Sequence, residues 1–116
     1  MPLKEADKVE VLTLQDNYID LVEAPADAMT TRALPIKDAY IKNSIVAEHG
    51  FSALVTVTKG SSARSVLFDF GYSPWGVAHN MEALGVDATA IEVLALSHGH
   101  MDHTGGVYEV AKRLRT

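Results

Sequence analysis

The amino-acid sequence predicts an α+β or α/β fold, a mixed β-sheet with flanking helices, with residues 1–116 forming one domain or part of a larger one. Three observations carry that reading. Segments rich in β-branched residues occupy the first part of the chain. A helix, a strand and a helix follow, the order that layered packing of helices on a sheet produces. Hydrophobic residues make up 47% and charged residues 22% of the chain, the balance of a soluble domain able to bury a core.

Taken in order, "VEVLTL" (9–14) alternates closely enough for a strand. It runs into "QDNYID", where Asp16 and Asn17 favour a turn. Residues 24–44 carry two prolines and no sustained period, which predicts a long connection with one short helix over 36–40. "FSALVTVTK" (51–59) reads as a strand, "GSSA" as a turn, and "RSVLFD" (64–69) as the returning hairpin partner. Ser73 caps a helix with Pro74 at its first position, running through "WGVAHNMEAL" to a terminating Gly85. Asp87 caps a short turn, "ATAI". "EVLALS" (92–97) is almost wholly apolar and reads as a strand buried on both faces. "GVYEVAKRLRT" closes the chain as a helix, with Val107, Val110, Ala111 and Leu114 on its inner face. Lys112, Arg113 and Arg115 lie near its negative C-terminal end.

Composition narrows the function classes. A net charge of −5 gives no basic surface of the kind nucleic acid requires, so a nucleic-acid partner is not expected. No apolar run is long enough to span a bilayer and the first residues contain no signal-peptide core, so a cytoplasmic protein without a membrane partner is expected. Cysteine is absent, which leaves imidazole and carboxylate as the metal ligands, a set suited to zinc, iron or manganese.

The segment "LSHGHMDHTGG" (96–106) places His98, His100, Asp102 and His103 within six positions after a strand end. His98 and His100 are two apart, so an extended backbone projects both to one side, where they can share a metal ion. Asp102 and His103 then point elsewhere, toward a second ion close by. Gly105 and Gly106 let the chain pass close to the site before the last helix. Three histidines and a spaced aspartate in six positions point to metal chemistry rather than to a polar turn.

"SHGHMDHTGG" resembles the His-x-His-x-Asp-His signature of the metallo-β-lactamase superfamily, and "LFDFG" is similar to the segment that carries that superfamily's upstream aspartate, here Asp69. "TLQDN", "AEHGFSALV" and "ALGVDATAIEVLALSHGHMDHTGG" extend the likeness to the dihydropterin-aminobenzene ribofuranoside phosphate synthase-like branch, with Phe70 standing where threonine is common. The resemblance implies half of an αββα sandwich, and a hydrolase whose two zinc ions, about 3.5–4 Å apart, carry a bridging hydroxide as nucleophile. Iron or manganese is an alternative to zinc, and a di-iron redox centre an alternative to the hydrolase. By motif, His98 and His100 would hold the first ion and Asp102 and His103 the second, with Asp102 also placed in catalysis. Asp69 would lie behind the ligands and orient the loop by hydrogen bonds. The superfamily pattern also needs a third histidine, a bridging aspartate and a final histidine beyond this motif. Residues 1–116 therefore read as an N-terminal half, inactive alone, that pairs with a missing C-terminal half or forms a homodimer. A non-catalytic metal-binding or assembly module is the rival reading. The resemblance implies a small-molecule substrate, phosphorylated or pterin-linked.

Weaker candidates surround this motif. His49 in "AEHG" either lines the pocket mouth or is a plain turn histidine, and Asp16 and Asn17 either approach the cleft or only turn the chain. His79 falls on the expected helix and reads as an interfacial residue, while Trp75 in its first turn either contacts substrate or, as the better reading, caps a hydrophobic surface. "KGSSARS" lacks the ending of a phosphate-binding P-loop and reads as a hairpin turn.

Overall fold

The computed structural model describes residues 2–20, 24, 27–31, 36–37, 40–41 and 44–114. The strands are β1 (Lys8–Gln15), β2 (Ile36–Lys37), β3 (Tyr40–Ile41), β4 (Ser52–Lys59), β5 (Ser62–Phe68) and β6 (Ile91–Ala95). Four of them form a mixed sheet in the order β1-β4-β5-β6, with a parallel contact only between β5 and β6. That parallel pair requires a crossover, which α1 (Gly76–Ala83) and a 3₁₀ turn (Ala88–Ala90) supply. Two further helices, α2 (Met101–Thr104) and α3 (Val107–Arg113), follow β6. This is the mixed sheet with helices that the sequence predicts. Part of the 24–44 connection and the Arg115 end of the last helix lie outside the described residues.

Several elements depart from expectation for local reasons. In place of a helix over 36–40, β2 and β3 pair antiparallel, Ile36 opposite Ile41 and Lys37 opposite Tyr40. Five residues form too few helical hydrogen bonds to offset nucleation, whereas isoleucine and tyrosine favour extended backbone. The hairpin turn is two residues rather than four, because Lys59 already pairs with Ser62. Ser73 does cap, its Oγ accepting from the Gly76 N–H at 2.9 Å, but the regular helix starts at Gly76 rather than Pro74. The Ser73 N–H and hydroxyl both donate to Glu48 Oε1, at 2.9 and 2.8 Å, and hold this turn against the 44–50 segment.

The C-terminus of α1 follows its sequence closely. Gly85 takes φ +71°, its N–H donates to the Glu82 carbonyl and the Val86 N–H to the Met81 carbonyl. That is a Schellman cap, which needs a left-handed residue and so favours glycine. Asp87 Oδ1 then accepts from the Thr89 N–H at 3.0 Å and from its hydroxyl at 2.6 Å, starting the 3₁₀ turn.

Register decides the two faces of the sheet. Leu12, Leu54, Leu67 and Leu94 stand in one row across all four strands. They belong to the core with Leu14, Phe70, Val77, Met81, Ile91 and Val110, so α1 and α3 cover this face. The neighbouring row, Val11, Val55, Val66 and Val93, faces the other way. There Val11 is 64% and Val93 50% exposed. Among the described residues β6 is therefore an edge strand with one open face, not a strand buried on both sides. In α3, Val110 is fully buried, but Val107 lies outside the inner face at 41% exposure.

Candidate metal centre

Three loop segments meet at the C-terminal ends of β5 and β6. The Asp69 N–H donates to the Ala95 carbonyl and so extends the parallel ladder by one bond. Past it, the Phe70 N–H donates to the His103 carbonyl, the Gly105 N–H to Gly71 and the Gly106 N–H to Phe70. The Phe51 N–H joins from the third segment, donating to the Asp102 carbonyl at 3.3 Å. Gly105 is required by this approach, because a Cβ there would collide with the Tyr72 carbonyl.

His98, Gly99 and His100 are non-helical, and His100 is the extended residue preceding α2. An extended backbone would point Asp102 away from the first two histidines; the short helix instead folds it back toward them. Ligand atoms of His98, His100 and Asp102 all lie within 4.8 Å of one another. The His98 ring stands 4.6 Å from that of His100 and 4.2 Å from that of His103. His103 Nε2 is 3.6 Å from Asp102 Oδ2. Two imidazoles and a carboxylate converging at this range form a donor set that fits a zinc, iron or manganese ion.

Asp69 lies beneath this cluster, 1% exposed. Oδ1 accepts from the Ser97 N–H, and Oδ2 from the Ser97 hydroxyl and His103 Nδ1, each at 2.7 Å. Burial pushes its carboxyl upward, but the Ser97 and His103 hydrogen bonds and the His103 charge outweigh it and hold the carboxyl below its usual range. Ser97, whose role the sequence reading missed, sits immediately before His98, and its Oγ lies 2.8 Å from His98 Nδ1.

The weaker candidates occupy definite places. His49 reaches the cluster, with Nε2 3.2 Å from Asp102 Oδ2 and its ring edge against Tyr72. It joins Gly99, His100, Met101, Asp102 and Thr104 around an open cleft of about 550 Å³. Asp16 and Asn17 do not line that cleft. The Asp16 carbonyl accepts from the Glu48 N–H and Asn17 Oδ1 from the Gly50 N–H, so the two bracket His49 from behind. His79 Nε2 contacts the Ser44 carbonyl and its ring meets Trp75, away from the cluster. Behind the bracket, buried Asn80 donates to the Leu14 and Val46 carbonyls and accepts from the Val46 N–H. No sequence pattern marks Asn80, because its partners are backbone groups more than thirty residues away.

Sheet, loop and ligand cluster together are compatible with part of a metallo-β-lactamase-like α+β fold. The model of the metallo-beta-lactamase superfamily matches residues 47–116, and the chain belongs to that superfamily. Over 68 residues it is 32% identical to the 7,8-dihydropterin-6-methyl-4-(beta-D-ribofuranosyl)-aminobenzene-5'-phosphate synthase of Methanocaldococcus jannaschii. That match covers 59% of this chain and 23% of the synthase, so the chain spans less than a quarter of its relative's length. Among the described residues, no helix is long and apolar enough to cross a membrane.

Proposed function

We propose that His98, His100, Asp102 and His103 belong to the metal centre of a hydrolase acting on a small phosphorylated molecule. The observation that supports it most is the convergence of ligand atoms of His98, His100 and Asp102 within 4.8 Å in the loop and short helix that follow β6. Zinc is the proposed ion, with iron or manganese compatible with the same donors. A divalent ion there supplies Lewis acidity and activates water at neutral pH. The protein's part is to hold the ligands: Asp69 fixes His103, and α2 aims Asp102. His49 walls the cleft in which a substrate would sit. The phosphate is suggested by the synthase's name, which also favours a second reading, bond-forming transfer at the same centre.

Metal analysis of the wild type beside a His98→Ala, His100→Ala double variant tests the centre. Zinc uptake is expected in the wild type and not in the variant; equal content would sink the assignment. A loaded polypeptide of these 116 residues is expected to hydrolyse phosphoesters slowly or not at all, because the cleft is open and His98 and His100 are exposed. Rapid turnover that disappears in the double variant would show a more complete site than the described residues provide.

A further inference from the structure

We infer that Ser97 is a positioning residue: its hydroxyl couples the Asp69 carboxylate to the His98 ring and fixes that ring with its proton on Nδ1. Its value for metal binding rests on the proposed centre; the hydrogen-bond assignment itself does not.

The assignment follows from counting protons. Ser97 Oγ is within hydrogen-bond distance of two groups, Asp69 Oδ2 at 2.7 Å and His98 Nδ1 at 2.8 Å, but it carries a single proton. An ionised carboxylate can only accept, so the hydroxyl proton belongs to Asp69. The Ser97–His98 contact is then a hydrogen bond only if His98 Nδ1 carries a proton and donates it. The opposite arrangement would press the hydroxyl lone pairs against a carboxylate oxygen at 2.7 Å. His103 reaches the same tautomer directly, because its Nδ1 lies 2.7 Å from Asp69 Oδ2. One buried carboxylate thus sets two imidazoles, one directly and one through a hydroxyl, and leaves Nε2 of each free to bind a metal. Among the described residues, the ring nitrogens of His100 have no such partner, which makes it an internal reference.

Long-range proton–nitrogen NMR correlation on metal-free, histidine-labelled protein reads the tautomers, at a pH where the rings are neutral. His98 and His103 are expected in the Nδ1–H form, the reverse of the preference of a free neutral histidine side chain in water. In Ser97→Ala, His98 should return to the Nε2–H form while His103, as an internal check on folding, keeps Nδ1–H. Ser97→Thr keeps the hydroxyl and should keep both. Zinc affinity should fall about 10–100-fold in Ser97→Ala, as for other groups that orient metal ligands, and recover in Ser97→Thr. His98 in the Nε2–H form in the wild type, or unchanged in Ser97→Ala, would overturn the relay. Nδ1–H tautomers in a protein that takes up no zinc would support the relay and refute the metal centre, so the two can fail separately.

Discussion

Asp69 is the one described non-glycine residue with positive φ, at 61°. A left-handed backbone costs an L-residue roughly 1–2 kcal/mol, less for aspartate, and persists only where the surroundings demand it. Here the demand is its carboxylate, which must turn back to meet Ser97 and His103. Two substitutions separate strain from bonding. Asp69→Ala loses the three hydrogen bonds and keeps the strained backbone, and is expected to destabilise by about 3 kcal/mol. Asp69→Gly loses the same bonds but relaxes the backbone, and should be more stable than Asp69→Ala by about 1 kcal/mol. Urea unfolding of both measures this, and equal midpoints would mean that φ at this position stores no strain.

Among the secondary-structure elements, α1 is tied to the sheet and to the His49 loop by a polar contact inside an apolar environment. Asn80 is 1% exposed and satisfies backbone groups of Leu14 and Val46 together. Asn80→Ala removes the amide from the Leu14 carbonyl and the Val46 N–H, while the Val46 carbonyl keeps Gln15 Nε2 as a donor, and is expected to cost about 2 kcal/mol, with amide exchange accelerating first around residues 44–50. A loss below about 1 kcal/mol would show that water replaces the amide easily. In α3 the charges matter less. A hydrogen bond from Lys112, then one from Arg113, outweighs desolvation and holds the Glu109 carboxyl below its usual range. A lowered folded pKa means that the contribution is present above the unfolded value and is lost as pH falls through the folded one. Because the pair is at the surface, the urea midpoints of wild type and Glu109→Gln should differ little at neutral pH and converge in acid. A gap that widens in acid would contradict this sign.

For the whole molecule, the described residues cover the sheet on one face only. The Val11, Val55, Val66 and Val93 row, with Val57 and Phe68 beside it, leaves a broad apolar surface in water. Burying such a surface contributes about 25 cal/mol per Å², and a symmetric pair is the commonest way for a single polypeptide to do so. The isolated chain is therefore expected to self-associate, and Val66→Lys to shift it toward monomer in light scattering. A compact wild-type monomer at micromolar concentration would show that this face tolerates water unaided.

The sequence alone determined the motif, the strand–helix–strand order and the caps, because each depends on neighbours a few residues apart. Ser73, Gly85 and Asp87 act on groups within their own turn, so their types are enough to locate α1 and the 3₁₀ turn. The histidine cluster was legible for the same reason, as was its position after a strand. Which ligands converge was not legible. The fold of α2 brings Asp102 back to His98 and His100, and a helix of one turn is too short to leave a period in the sequence. The link from Asp69 to Ser97 and His103, the bracket behind His49 and the Asn80 contacts join residues far apart in the chain. Strand register and the approach of the 69–73 loop to Gly105 bring them together, and those are decided by packing of the whole sheet against its helices.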